Sequence, residues 1–303
     1  MSQKSKKILV IGSSGLIGGN LLSSRSRHSS FVIPAFHSYI PDECKDTGLQ
    51  VDVSVPASII DSLRVAEPDC VVNLSCVAVA DCEKEPENAY RVQVEGVRDL
   101  ACTCKKLNIR LVHISSDMVY SGDKGTPHTL DDKPDPISVY GETKLKGEKA
   151  IQEVGGNTVI VRSALVLGRG RFKKGGFVDW MVEKVHKKEK FPLFVDQLRT
   201  PVIVDDLADV IFRLADSSFC GILLAGGDED VNRVEIGEKL LNAMGGPHEL
   251  INPVTIDSIE SSVPLQKDLR LDNSKLKEVV GKEQFVGIGE YFERLFKREQ
   301  WAG

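Results

Sequence analysis

Tyr140 and Lys144, four residues apart in Val139-Tyr-Gly-Glu-Thr-Lys144, are the side chains of this 303-residue chain best suited to proton chemistry. A tyrosine hydroxyl can exchange a proton with a substrate oxygen while hydride moves at the attached carbon. Its ordinary pKa of about 10 is too high for work at neutral pH, but a cation one helical turn away favours the phenolate. Residues at i and i+4 share a helix face, so Lys144 can supply that cation. Ser116 ends the apolar run that begins at Arg110, at the strand terminus where α/β sheets bind ligands, and its hydroxyl can fix the same oxygen. Further upstream, Gly12-Ser13-Ser14-Gly15-Leu16-Ile17-Gly18 follows another apolar run and opens a helical pattern. Backbone N–H groups in such a turn can hold a pyrophosphate, and glycine lets the backbone come close to it. The three pieces together read as a nicotinamide-dependent site.

These residues need a parallel sheet to position them. Apolar, β-rich runs at 7–11, 31–33, 70–74, 110–114 and 158–161 alternate with helical patterns near 16–25, 57–66, 87–107, 139–154, 177–188, 205–216, 233–244 and 287–300. Such alternation predicts βαβ units, and near-continuous apolar strands predict a sheet covered on both faces. Pro34 is a misfit next to the second run, since proline cannot donate to a central ladder. The expected fold is α/β: a doubly wound parallel Rossmann sheet with helices on both faces over 1–162, and a smaller C-terminal α/β substrate lobe over 163–303. Residues 196–232, with a strand-like 201–204 and a helix capped by Asp205 or Asp206, are expected to return to the sheet domain.

Composition narrows the partners. Hydrophobic residues make up 41% of the chain, which is ample for a core, and a net charge of -5 with pI about 5.8 offers no positive field for nucleic acid or anionic membrane. No apolar run is long enough to span a bilayer, so a soluble, cytoplasmic protein with a small-molecule partner is expected. Seven cysteines at scattered positions argue for reduced thiols, and Cys102 and Cys104 point to different sides of a helix rather than to one metal.

The spacing GxxGxxG, the segment Ser116-Asp117-Met-Val-Tyr120 and the Tyr140/Lys144 pair, in that order, resemble the extended short-chain dehydrogenase/reductase family. Tyr140-Gly-Glu-Thr-Lys-Leu-Lys-Gly-Glu148, Asp196-Gln197-Leu-Arg-Thr-Pro201, Asp205-Asp-Leu-Ala208 and Leu269-Arg-Leu-Asp-Asn-Ser-Lys-Leu276 extend the resemblance to the dTDP-4-dehydrorhamnose reductase branch over nearly the whole length. The resemblance implies an NAD(P)H-dependent reductase of a nucleotide-linked 4-keto-6-deoxysugar. Ser116, Tyr140 and Lys144 take the catalytic roles, and Ser116, Asp117 and Tyr140 hold the sugar. Cofactor contacts fall on Gly12, Ser14, Gly15, Leu16, Ile17, Gly18, His37, Ser38, Asp52, Val53, Ser75, Cys76, Tyr140 and Lys144. With no acid in the segment 34–38, His37 and Ser38 favour NADP(H), with NAD(H) as the alternative. Arg169, Arg171, Lys173 and Lys174 become candidates for neutralising a nucleotide diphosphate, and no metal site is expected. Two departures stand out: Gln93 where the family commonly has asparagine, and Leu165 where its reductases place an aromatic residue. Two other readings stay open, a regulatory subunit resembling the methionine adenosyltransferase beta subunit and a nucleotide-sugar epimerase or dehydratase. A homodimer is left open as well.

Overall fold

In the computed structural model, which describes residues 5–24, 30–173 and 175–299, the apolar runs pair into one seven-stranded parallel sheet. The first half of the chain supplies β1 (Lys7–Ile11), α1 (Leu16–Ser24), β2 (Phe31–Phe36), β3 (Leu49–Gln50), α2 (Pro56–Ala66), β4 (Cys70–Asn73), α3 (Val79–Lys84), α4 (Pro86–Tyr90), α5 (Gly96–Lys106), β5 (Arg110–Ser116), α6 (Val139–Val154) and β6 (Thr158–Ser163). The second half supplies β7 (Val166–Leu167), α7 (Phe177–His186), β8 (Phe191–Phe194), β9 (Leu198–Arg199), β10 (Val202–Ile203), α8 (Val204–Asp216) and β11 (Gly221–Ala225). It continues with β12 (Val231–Asn232), α9 (Arg233–Met244), β13 (Ile251–Val254), β14 (Asp268–Leu269), α10 (Ser274–Val280) and α11 (Ile288–Glu299).

Strand order is β11-β6-β5-β4-β1-β2-β3, so chain direction across the sheet reverses between β1 and β4. Open α/β sheets bind ligands beyond the strand ends at such a switch point. Both faces are covered. Ile8 and Val10 point to a layer built by α1, α8 and α10, whereas Leu9 and Ile11 point to one built by α2, α5 and α6. That two-sided burial is why the strands read as continuous apolar runs rather than alternating ones.

Pro34 sits inside β2, paired in register with Val10, and the strand runs through it to Phe36. The N–H of Phe31 and the carbonyl of Ala35 face β1, so the intervening parity of Pro34 faces the other neighbour. β3 reaches only Ala35 and Phe36, so no ladder bond is lost at the proline. The single helix expected over 87–107 is instead α4, a π-helical turn at Arg91–Glu95, and α5 in succession. π-turns widen a helix locally and are frequent at functional sites.

Residues 202–203 form β10, which pairs with β7 and not with the main sheet, while α8 packs on α1 and β11 pairs with β6. Ile203, rather than Asp205 or Asp206, precedes α8, with no side-chain cap. Asp206 accepts the Val286 N–H at 2.7 Å and pairs with Lys282 at 2.9 Å, fastening the α10–α11 connection to α8. A further core cluster joins α7, α9 and α11 to the parallel pair β8 and β13. Among the described residues, no helix is long and apolar enough to cross a membrane.

Candidate active site

β5 delivers Ser115 and Ser116 to the edge of the switch-point crevice, and α6 starts beside them. Ser138 caps α6 by accepting the Gly141 N–H at 3.1 Å, which places Tyr140 in the first turn and Lys144 in the second. Gly141 has to be glycine, because a Cβ there would stand 2.2 Å from the Met118 carbonyl oxygen. Lys144 is buried, donates to the Ile114 carbonyl at 3.2 Å and lies 5.9 Å from the centre of the Tyr140 ring. Ser116 and Tyr140 line one cavity, and the Ser116 hydroxyl donates to Asp117 Oδ1 at 3.0 Å and accepts the Met118 N–H at 3.2 Å.

Burial pushes the Tyr140 hydroxyl well above its ordinary value, helped by Cys76 and Asp117 and opposed by the Ser116 hydrogen bond. Burial also pulls the Lys144 ammonium down. The tyrosine is therefore held as an acid throughout the neutral range, the state a proton donor needs. Gln93 reaches the same helix through Thr143 rather than through Tyr140 or Lys144. Its Oε1 accepts the Val77 N–H at 3.2 Å and its Nε2 donates to Thr143 Oγ1 at 2.6 Å, tying the loop after β4 to α6.

A groove of about 490 Å³ runs from the glycine loop to the ends of β3 and β4. Gly12, Ser14, Gly15, His37, Asp52, Val53, Ser75 and Cys76 all line it, so eight of the expected cofactor residues are brought together. Gly12 adopts φ +88°, and a Cβ on it would come 2.9 Å from the Leu74 backbone; one on Gly18 would come 2.5 Å from the Gly12 carbonyl oxygen. Such a cradle of bare backbone fits a dinucleotide pyrophosphate. Leu16, Ile17, Gly18, Ser38, Tyr140 and Lys144 do not line the groove; Ile17 packs into the sheet core, Gly18 supports the loop from behind and Tyr140 lines the second cavity. The segment 34–38 carries no acid, yet Asp52 arrives from beyond β3 and stands 3.5 Å from His37 Nε2. Asn88 and Arg91 also line this end, and neither is anticipated by the sequence reading. The helical pattern placed them correctly, but the π-turn at Arg91 has no sequence signature.

The second cavity, about 620 Å³, has Ser116, Asp117 and Tyr140 on one side and α7 on the other. Leu165 lines it where an aromatic residue is the family's habit, and aromatic surface comes instead from Phe177 and Trp180, stacked at 5.9 Å. The basic loop does not reach this cavity. Arg169 pairs with Asp179 at 3.0 Å, Arg171 pairs with Glu43 at 3.2 Å, and Lys173 is absent from the lining, while Lys174 lies outside the described residues. The cations that do line it are Arg199 and Arg233. Asp117 is buried, which raises its carboxyl; Arg199, the Ser116 hydroxyl and Arg233 oppose the rise. Among the described residues, no three His, Cys, Asp or Glu side chains cluster in a way that could hold a metal ion.

Residues 6–286 match the family model described as the RmlD substrate binding domain. The chain belongs to this family. It lies within the extended short-chain dehydrogenases/reductases. Among its relatives, a probable low-salt glycan biosynthesis reductase, Agl14 of Haloferax volcanii, is 29% identical over 281 residues, 91% of this chain and 92% of that protein. A dTDP-4-dehydrorhamnose reductase of Mycolicibacterium smegmatis is 28% identical over 83% of this chain and 73% of its own length. Methionine adenosyltransferase 2 subunit beta of Rattus norvegicus is 27% identical over 94% and 84%. The crystal structure of dTDP-4-dehydrorhamnose reductase from Bacillus anthracis, in complex with NADP, superposes with a TM-score of 0.85 at 21% identity, covering 97% of this chain and 99% of that one.

Proposed function

We propose that this RmlD-family protein is an NAD(P)H-dependent reductase of a nucleotide-linked 4-keto-6-deoxysugar. The observation that carries the reading is Ser116 and Tyr140 lining one cavity, with Lys144 one helical turn on and its ammonium 5.9 Å from the centre of the Tyr140 ring. The named reductases among its relatives support the substrate class. Gly12, Ser14, Gly15, Asp52, Val53, Ser75 and Cys76 would hold the dinucleotide, with His37 and Arg91 at its adenosine end favouring NADP(H) and NAD(H) as the alternative. Bound there, the reduced nicotinamide supplies hydride.

The chain's own residues do the rest. Ser116 and Tyr140 both direct hydroxyls at the substrate carbonyl oxygen, which stabilises charge as it develops there. Tyr140 delivers the proton, and its raised pKa keeps that proton available. Lys144, anchored on the Ile114 carbonyl, places a positive charge beneath the ring, so loss of the proton is less costly than burial alone would make it. Asp117 holds a sugar hydroxyl beside Ser116. We assign the dinucleotide half to 1–162, with 196–232 returning to it, and the substrate half to 163–303. The acidic balance of -5 supports a cytoplasmic enzyme without nucleic-acid or membrane partners, as a monomer or a homodimer.

The test is NADPH oxidation followed by absorbance across nucleotide-linked 4-keto sugars, for wild type and Tyr140→Phe. Loss of the proton donor should lower kcat by roughly 10²- to 10⁴-fold while NADPH affinity changes little. Undiminished turnover in the variant would sink the assignment. The likeness to the methionine adenosyltransferase subunit favours one second reading, a nucleotide-binding partner subunit. Fixed-stoichiometry co-purification with a synthetase, without turnover of any keto sugar, is the result that would select it.

A further inference from the structure

Arg233 is a cation whose partners are neutral. It is the first residue of α9, where its charge opposes the positive end of the helix dipole. Its guanidinium lies 4.7 Å from the centre of the Phe177 ring, and Nε donates to Gln197 Oε1 at 2.7 Å. Among the described residues it has no carboxylate partner in salt-bridge range, and the Nη1 and Nη2 edge has no hydrogen-bond acceptor. A second arginine, Arg199, adds like charge and is itself without a paired carboxylate, its Nη groups donating to the carbonyls of Leu198, Gln266 and Lys267. Asp117 is the one acid that acts on both, and burial already drives it toward its neutral form. Burial, reinforced by Arg199, brings the Arg233 guanidinium down to about 9. Two cations beside apolar Leu165, Trp180 and Leu193 and one weakened acid leave a positive surplus on the lining of this cavity, which an anionic group of a ligand would answer.

We propose that Arg233 is a specificity-determining residue that receives an oxyanion of the keto substrate on its free Nη edge, with Arg199 reinforcing the field, while the substrate carbonyl lies at Ser116 and Tyr140. The planar guanidinium fork matches a carboxylate or phosphate in two parallel hydrogen bonds, which a lysine cannot do. The inference rests on this cavity being the substrate site and adds that the substrate carries acid inside it. Two sources share that chemistry: the diphosphate of a nucleotide, and a carboxylate on the sugar ring.

Calorimetric titration of the full-length protein with dTDP and with D-glucuronate separates them. Wild type should bind at least one probe, and Arg233→Met should weaken that binding by roughly ten- to a hundredfold. Dependence confined to dTDP assigns the diphosphate; dependence confined to glucuronate assigns the ring carboxylate. Without ligand, Arg233→Met should melt at or above the wild-type temperature, because a half-buried charge with no acid partner has gone. A merely structural arginine would give the opposite shift. Arg233→Lys keeps the charge, loses the fork and covers the case in which the methionine variant does not fold; its affinity for the same probe should also fall. Equal affinity of wild type and both variants, or no binding of either probe to wild type, overturns the proposal. Binding is read rather than turnover, so failure here is distinct from failure of the reductase reading.

Discussion

The buried Arg162–Glu148 pair and the group of buried Arg199 and Asp117 with half-buried Arg233 differ in whether their charge is answered. Glu148 on α6 is met by Arg162 of β6 through Nη2 at 2.7 Å and Nε at 3.1 Å, and by the Ser115 hydroxyl at 2.5 Å. Arg162 Nη1 donates to the Tyr120 hydroxyl at 2.7 Å, and that hydroxyl donates to the Thr129 carbonyl. The acid is fully engaged, and the network fixes α6 against β5, which ends at Ser116, and its neighbour β6. Across the strand end, Asp117 takes the Ser116 hydroxyl and faces two arginines that it cannot pair with in two-pronged fashion. A closed network of this kind holds a scaffold in one geometry, whereas an open one stores a preference for a missing partner.

The sharpest way to break this contrast is to open the closed cluster. Glu148→Ala leaves Arg162 buried without its acid and should destabilise the protein by about 3–5 kcal/mol in denaturant unfolding. A loss below about 1 kcal/mol would mean that the pair is not what fixes α6. Asp117→Asn is the matching change in the open cluster, and its effect should be smaller. Removing the one acid near Arg199 and Arg233 should cost about 1–3 kcal/mol, since the carboxyl is already biased toward neutrality. The same change should strengthen binding of an anionic probe, because the surplus charge grows. Unchanged stability together with weaker anion binding would contradict the account of this cavity.

How much of this was legible in the sequence follows from how locally each part is specified. Gly12, Gly15 and Gly18 lie on one strand-to-helix turn, and Tyr140 with Lys144 on one helix, so spacing alone placed them. The five main apolar runs gave the sheet for the same reason. Asp52 reached His37 only because β3 lies alongside β2, a juxtaposition that no local pattern records. Pro34 looked disruptive because proline matters only if its side of the strand has a neighbour, which sequence does not tell. The basic loop 169–174 drew attention as a charge run, yet its described arginines pair with Asp179 and Glu43 from distant elements. Arg199 and Arg233 were invisible as a pair, being 34 residues apart and joined only through the folding of β9 and α9 around one cavity.

A third buried group near the site handles its charge by refusing it. Asn73 Oδ1 accepts from the N–H and the hydroxyl of Ser75, so its amide nitrogen must face His113 Nδ1, at 3.1 Å. Nδ1 is therefore the acceptor, the proton is on Nε2, and the ring is neutral. Burial first, then the Lys144 charge, holds His113 well below its ordinary value. The unfolded chain thus binds one more proton than the folded one at any pH between the two values, and stability rises with pH across that window. The contribution is fully present above about pH 6.5 and is lost as pH falls below it, by up to about 1.4 kcal/mol per unit. His128, also depressed by burial, adds a slope of the same sign, so the His113 share has to be read as a difference. His113→Gln should flatten the stability profile between about pH 6.5 and 5 relative to wild type. Identical slopes for the two proteins would show that this ring is charged in the fold, and the sheet would then contain a second unanswered cation beside Lys144.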